Sequence, residues 1–278
     1  MTDAALPIGV FDSGVGGLTV LNALREKLPG ENLIYLGDTA RVPYGTKSSL
    51  SVTRYAEQAA ACLIDRKIKL LVIACNTASA VAVEPLQQKY PLIPVMGVVG
   101  PGADACCAVS KNRHIGVIAT ESTVNNQAYQ QAILKRMPDA SVAAQSCSLF
   151  VALAEEGWHE GELVEQIVAK CLAPLKQIES PAIDTLVLGC THFPALKECI
   201  GKVMGADVVL VDSAQTTAEA VREELQRSGM LNQADAGDVE FLVTDDPQRF
   251  SRVAEHFFEG ELTAGEIQQV DIQHFDKG

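Results

Sequence analysis

Two cysteines of this chain lie where a predicted strand ends and a run of polar residues begins. Cys75 follows the apolar segment 70–74, Cys190 follows the apolar segment 185–188 and Gly189, and a predicted helix comes after each. Ligand sites of open α/β sheets lie outside the carboxyl ends of the strands, where helix N-termini present free N–H groups. Because the positive end of a helix lowers the pKa of a thiol, this position predicts a thiolate in each segment.

A pair of thiols suits proton transfer at a carbon atom. If both face one cleft, one removes a proton from one side of the carbon and the other delivers a proton to the opposite side. The same pair is also compatible with a disulfide, a metal site or, for each cysteine alone, an inert place in the core. Zinc needs three or four ligands, and only His192 lies close in sequence to either cysteine, so no metal is predicted.

The remaining cysteines indicate a reducing compartment rather than a disulfide scaffold. Disulfide-dense proteins are short and secreted, whereas this chain has 278 residues and no basic, apolar leader pattern at its start. No apolar run reaches the ~20 residues of a membrane span. We therefore expect a cytoplasmic protein that does not contact a membrane. Six cysteines are expected in the core: Cys62, Cys106, Cys107, Cys147, Cys171 and Cys199.

The charge balance excludes one class of partner. The chain has 22 Lys+Arg against 35 Asp+Glu, a net charge of −13, with no basic cluster. Nucleic-acid surfaces need concentrated positive charge, so no nucleic-acid partner is predicted. An anionic substrate would have to be held by backbone N–H groups, amides and hydroxyls, because the overall field repels it.

Short apolar segments alternate with longer helical patterns along the chain, which predicts an α/β fold. Near-continuous apolar strands separated by helices form parallel sheets that helices cover on both faces. The predicted strands are 8–11, 33–36, 70–74, 95–99, 114–119, 141–145, 185–188 and 208–211, and the predicted helices include 18–28, 49–67 and 163–177.

An internal repeat indicates two similar halves. Ile8-Gly9-Val10 recurs as Ile115-Gly116-Val117, and the segment 71–77 is echoed by 186–192, at offsets of 107 and 115 residues. Two matched pairs in the same order favour two related α/β units. The glycine- and proline-rich segment 99–102 is the predicted boundary.

The segment that contains Asp12 and Ser13 follows the first predicted strand. Its glycines do not satisfy the dinucleotide fingerprint G-x-G-x-x-G, so nucleotide binding is not favoured. Small residues there would let backbone N–H groups approach a substrate carboxylate. The alternative is that Asp12 or Ser13 only caps the next helix.

A second polar segment follows the strand 33–36. Pro43 and Gly45 bracket Tyr44 in a turn that would direct its phenol or a backbone N–H towards a ligand. The alternative is an ordinary loop in which Arg41 pairs with Asp38.

Taken together, these motifs resemble the bacterial glutamate racemase family. The resemblance runs from Ile8 to about Ala220. The motifs are Phe11-Asp12-Ser13-Gly14-Val15-Gly16-Gly17, Gly37-Asp38-Thr39, Pro43-Tyr44-Gly45, Cys75-Asn76-Thr77, Gly189-Cys190-Thr191-His192-Phe193-Pro194 and Val211-Asp212-Ser213.

The resemblance implies a fold and an activity. The fold is two pseudo-symmetric α/β domains, 1–98 with 211–278 and 99–210, with mostly parallel central sheets and the active site in the cleft between them. The activity is a cofactor-independent interconversion of L- and D-glutamate that supplies D-glutamate for peptidoglycan. The oligomeric state stays open, with a homodimer as one alternative.

The resemblance also assigns residues. Cys75 and Cys190 act on opposite faces of the α-carbon, assisted by Asp12 and His192 respectively. Glu155 matches a further acid of the family, with Glu156 as the alternative, although the prolines that the family commonly has before this acid are missing. The matched substrate-binding residues are Asp12, Ser13, Asp38, Pro43, Tyr44, Gly45, Asn76, Thr77, Thr191 and His192.

The sequence is also compared with two rival functions, a related racemase and a protein without catalytic proton exchange. An aspartate or broad-specificity racemase of the same superfamily would have a Gly-Gly-Met-Gly pattern near its start, which this chain lacks. A small-acid binding protein or a redox sensor would use the two cysteines without proton exchange at carbon.

Overall fold

The structure, a computed structural model, describes residues 3–178 and 181–276. Its strands are β1 Ile8–Asp12, β2 Leu33–Gly37, β3 Leu70–Ile73, β4 Val95–Gly97, β5 His114–Ala119, β6 Ser141–Ser146, β7 Thr185–Gly189, β8 Val209–Asp212, β9 Val239–Val243 and β10 Ile267–Gln269. Its helices are α1 Leu18–Lys27, α2 Ser49–Asp65, α3 Asn76–Lys89, α4 Val99–Val109, α5 Glu121–Asn125, α6 Ala128–Arg136, α7 Leu149–Glu155, α8 Glu162–Lys176, α9 Lys197–Met204, α10 Ser213–Ser228 and α11 Pro247–Ala254.

The strands form two parallel sheets, which confirms the predicted α/β fold. One sheet has the order β10-β9-β2-β1-β3-β4 and the other β6-β5-β7-β8. The order β2-β1-β3-β4 in the first sheet is repeated as β6-β5-β7-β8 in the second. The predicted repeat is therefore confirmed, with β1 equivalent to β5 and β3 equivalent to β7.

The repeated Ile-Gly-Val segment has a packing reason. Gly9 and Gly116 lie at equivalent positions in β1 and β5, the inner strands of the repeat. A Cβ atom at Gly9 would lie 2.8 Å from Ile68, and one at Gly116 would lie 2.9 Å from Leu186. Both contacts are too close for any larger residue without a local shift, so glycine lets each inner strand pack against its neighbours.

Several predicted boundaries differ from the structure. The predicted strand 95–99 ends at Gly97, and Val99 already begins α4. The glycine- and proline-rich segment 99–102 is therefore helical rather than a linker. The physical reason is that Pro101 lies in the first turn of α4, where its missing N–H has no helical partner to lose. Strand β5 matches its predicted bounds, and the other predicted strands and helices differ from the structure by one or two residues at one or both ends.

The C-terminal part of the chain packs on the first sheet. Strand β9 pairs with β2, β10 pairs with β9, and helix α10 packs against α1. Neither β9 nor β10 was predicted. Within residues 3–178 and 181–276, no helix is long and apolar enough to span a bilayer.

Candidate active site

A cavity of about 370 Å³ lies where the carboxyl ends of strands from both sheets meet. It contains both Cys75, which follows β3 and Ala74, and Cys190, directly beyond β7. The lining residues are Ser13, Gly14, Val42, Pro43, Tyr44, Gly45, Thr46, Cys75, Asn76, Thr77, Thr120, Ser148, Val151, Ala152, Glu155, Cys190, Thr191, His192 and Arg249. The structure thus brings together all of the predicted site residues except Asp12 and Asp38, which are buried behind the cavity wall.

Cys75 occupies the N-cap position of α3, without a side-chain capping hydrogen bond, and is almost fully buried. The predicted lowering of its thiol pKa is wrong. Burial raises the pKa of Cys75 to about 12, and the charge of Asp12 adds to this rise. Hydrogen bonds with Ser13 and with the Ala78 N–H oppose the rise without cancelling it. The cost of desolvating the thiolate therefore outweighs the stabilisation of the thiolate by the N-terminus of α3.

Asp12 lies at the end of β1, completely buried next to the glycine-rich turn. Its Oδ2 accepts a hydrogen bond from the Gly14 N–H at 2.9 Å. Burial raises the pKa of Asp12, while the hydrogen bond from Gly14 and the nearby His192 lower it. Among the described residues, its Oδ1 has no hydrogen-bond partner. Asp12 thus accepts a hydrogen bond within the glycine-rich turn, and it is not the N-cap of α1, which is Gly17.

Cys190 begins a chain of polar contacts that ends at the opposite side of the cavity. Its Sγ lies 3.8 Å from His192 Nδ1, and His192 Nε2 lies 3.2 Å from Glu155 Oε1. Arg249 Nη2 donates to Glu155 Oε2 at 3.2 Å. The structure thus places Glu155 in the cavity, while the alternative acid Glu156 is exposed at the C-terminal end of α7.

The protonation states of His192 and Glu155 follow from these contacts. Burial lowers the pKa of His192, but hydrogen bonds and charge interactions with Cys190 and Glu155 outweigh it and raise the value to about 10. Burial raises the pKa of Glu155, yet His192 and Arg249 together leave it below its ordinary value. His192 is therefore a cation at neutral pH, held between a thiol and a carboxylate.

Asp38 supports Tyr44 from behind the cavity wall. The Tyr44 hydroxyl donates to Asp38 Oδ2, Thr244 donates to Oδ1 at 2.9 Å, and Arg41 Nε lies 2.8 Å from Oδ2. Burial raises the pKa of Tyr44 well above its ordinary value, and Asp38 adds to the rise. Asp38 thus fixes the tyrosine that lines the cavity, and the predicted pairing of Arg41 with Asp38 is also present.

Hydroxyl and amide groups line the side of the cavity between the two cysteines. Thr77 Oγ1 lies 2.9 Å from Thr120 Oγ1, which links α3 of the first repeat to the loop after β5 of the second. Asn76 is buried, and its Nδ2 has no hydrogen-bond partner among the described residues. These neutral groups fit the predicted mode of holding an anion, but the cavity also contains the cation of Arg249, which was not predicted.

Residues that were not predicted fall into two kinds. Thr120 directly follows the predicted strand 114–119, so the rule that identified Cys75 would have found it, whereas Ser148 lies further beyond the predicted strand 141–145. Arg249 lies in α11 beyond β9, a strand that the apolar pattern did not reveal. The described residues contain no group of three His, Cys, Asp or Glu side chains that would hold a metal ion.

Gly16 allows the glycine-rich turn to touch the second cysteine segment. A Cβ atom at this position would lie 2.5 Å from His192 Nδ1 and 2.5 Å from Thr191 Oγ1. We expect Gly16→Ala to displace His192 and to lower kcat/KM about tenfold to a hundredfold, because small displacements in a site are costly. Gly100→Ala is the matched control, since the nearest atom to its Cβ would lie 3.7 Å away. Equal kcat/KM values for the two variants would contradict this packing argument.

Fold and site define a class of protein: a doubled α/β molecule whose two halves each contribute one cysteine to a shared cavity. The model of the Asp/Glu/Hydantoin racemase family matches residues 11–221. The chain belongs to this family, and it is an isomerase.

Within this family, the chain is similar to proteins named glutamate racemase. A glutamate racemase of Geobacter metallireducens is 48% identical over 267 residues, which cover 96% of this chain and 97% of the relative. A glutamate racemase of Neisseria meningitidis is 49% identical over 252 residues, which cover 90% of this chain and 92% of the relative. The crystal structure of glutamate racemase from Francisella tularensis in complex with D-glutamate has a TM-score of 0.89 and 38% identity, and the match covers 98% and 99% of the two chains.

Proposed function

We propose that the protein interconverts L- and D-glutamate without a cofactor, by removing the α-proton with one cysteine and returning a proton with the other. The observation that carries the proposal is that Cys75 and Cys190, which follow equivalent strands of the two repeats, line one cavity. Relatives named glutamate racemase match nearly the whole chain, and one of them was solved with D-glutamate bound.

The reaction balances in two proton transfers. The thiolate of one cysteine takes the hydrogen of the α-carbon, and the electron pair of the broken C–H bond remains on the substrate as a carbanion. The thiol of the other cysteine then protonates the opposite face and becomes a thiolate. The enantiomer is formed, and the two cysteines have exchanged protonation states, ready for the reverse reaction.

The two cysteine environments differ in charge, which supports distinct roles for their neighbours. His192 places a cation beside Cys190 and is itself held by Glu155. Asp12, beneath Cys75, is an acceptor that favours the protonated thiol. We assign His192 and Asp12 to assist the neighbouring cysteine in each proton transfer, and Glu155 to orient His192.

The substrate carries two carboxylates and an ammonium group, so it is a net anion that must be held against the protein's net charge of −13. The cavity offers donors in Ser13, Asn76, Thr77 and Thr191 and a cation in Arg249. We assign the hydroxyls and amides to the substrate carboxylates. Preorganised donors stabilise charge that spreads onto a carboxylate as the α-proton leaves, so they lower the barrier as well as the dissociation constant.

We further propose that the product serves peptidoglycan synthesis in the cytoplasm. All eight cysteines are free, which suits a reducing compartment. The test is depletion of the protein in its host. Growth should stop and should be restored by external D-glutamate, and growth that is indifferent to D-glutamate would contradict this role.

The activity itself is tested with pure enantiomers. Circular dichroism should show the signal of L-glutamate decaying to zero, and that of D-glutamate decaying equally, in the absence of added cofactor. Aspartate in the same assay separates the nearest rival. Racemisation of aspartate but not of glutamate would favour the aspartate racemase alternative, and binding of glutamate without loss of optical activity would favour a binding protein.

A further inference from the structure

The side-chain amide of Asn76 occupies a special place in the cavity. It directly follows Cys75, lines the cavity and is buried, with 3% of its surface exposed. Its Oδ1 accepts a hydrogen bond from the Tyr129 hydroxyl at 2.6 Å, whereas its Nδ2 has no hydrogen-bond partner among the described residues. Burying an amide N–H without a partner is costly, so such a group is expected to serve a ligand.

Tyr129 belongs to the second repeat and reaches across to the first. It lies in α6, is completely buried and packs in the core cluster that contains Val117 and Val187. Its ring fits against two glycines: a Cβ atom at Gly189 would lie 2.9 Å from the ring, and one at Gly102 would lie 3.1 Å from it. The hydroxyl position is therefore fixed by the packing of the ring.

The Tyr129 side chain contacts both segments that contain the active-site cysteines. Its edge lies against Gly189, the residue before Cys190, and its hydroxyl holds Asn76, the residue after Cys75. Burial raises the pKa of Tyr129, so the phenol keeps its proton and remains a donor. Ser213 also hydrogen-bonds to this phenol and partly opposes that rise.

We propose that Tyr129 is a positioning residue whose hydroxyl fixes the Asn76 amide so that Nδ2 donates to a carboxylate of the amino-acid substrate. This inference rests on the proposed function. An amide has a donor end and an acceptor end, and the reversed orientation would place the Asn76 oxygen against an anionic oxygen. Holding Oδ1 on a protonated phenol excludes that orientation and leaves the donor for the substrate.

The test is Tyr129→Phe, which keeps the ring and removes only the hydroxyl. We expect KM for each glutamate enantiomer, and the dissociation constant of D-glutamate measured by calorimetry, to rise about fivefold to tenfold, the usual value of one hydrogen bond. We expect kcat to change less. Tyr90→Phe, which removes a phenol outside the cavity lining, is the control and should match the native protein.

A double variant shows whether the hydroxyl acts through Asn76. In the Asn76→Ala background, Tyr129→Phe should cause no further loss of affinity, because the group that it orients is already gone. An equal loss in both backgrounds, or native affinity in Tyr129→Phe, would overturn the inference. If the native protein does not racemise glutamate, the proposed function is wrong. If the native protein racemises glutamate but the variants do not behave as expected, only the role of Tyr129 is wrong.

Discussion

Replacement of either Cys75 or Cys190 by serine is expected to abolish racemisation in both directions, with a loss of kcat of about a thousandfold or more. The hydroxyl of serine has nearly the size of a thiol, so the cavity keeps its shape, but an alkoxide is far less accessible than a thiolate. Each direction needs one base and one acid, and each cysteine serves as one of them. Polarimetry with each enantiomer measures the loss.

Cys107→Ser provides the matched control for these variants. Cys107 is half-buried in α4 and does not line the cavity. It should keep native activity, and thermal melting of all three variants should show that each is folded. Native racemisation by either Cys75→Ser or Cys190→Ser would contradict the two-cysteine mechanism.

The second large effect is expected at His192. His192→Gln keeps a hydrogen-bonding side chain but removes the cation beside Cys190 and the partner of Glu155. We expect kcat to fall about a hundredfold or more, the usual contribution of a positioned acid or base. Matched kinetics of native and variant protein, with D-glutamate binding as a check on the cavity, provide the measurement.

The pKa of His192 also predicts how stability changes with pH. Because it is raised from 6.5 to about 10 in the folded protein, protonated His192 stabilises the fold fully below pH 6.5 and loses this contribution as the pH rises through about 10. The difference in melting temperature between native protein and His192→Gln should therefore narrow from pH 7 to pH 10. A constant difference would show that the imidazolium pair is not the cause.

Most of the fold could be predicted because its strands are buried on both faces. The strands β1, β2, β3 and β7 are entirely buried and therefore read as continuous apolar runs. Strand β9 begins with a half-buried valine and an exposed glutamate, and two of the three residues of β10 are exposed. The apolar run of β9 is only Phe241-Leu242-Val243 and that of β10 only Ile267, and runs this short were not recognised as strands. The return of the chain to the first sheet therefore came only from the family resemblance.

The candidate site was predictable where a residue directly follows a predicted strand. Cys75 and Cys190 meet that condition, Tyr44 lies further along the polar segment after the strand 33–36, and all three line the cavity. Arg249 and Tyr129 do not. Arg249 lies beyond an undetected strand, and Tyr129 reaches Asn76 only because α6 packs in the core of the second repeat. The raised pKa of Cys75 could not be predicted from the sequence pattern, because burial of the thiol outweighs the electrostatic effect of the helix N-terminus.

Transfer of solvent hydrogen in D₂O tests the two-base mechanism most directly. L-Glutamate is incubated with the native protein, and the deuterium content of the α-carbon is followed separately in both enantiomers during the first few per cent of conversion. Two bases on opposite faces predict D-glutamate that carries deuterium, because its α-hydrogen comes from a second, solvent-equilibrated thiol, while the remaining L-glutamate is still unlabelled. D-Glutamate that retains the original protium, or equal labelling of both enantiomers from the start, would contradict the mechanism.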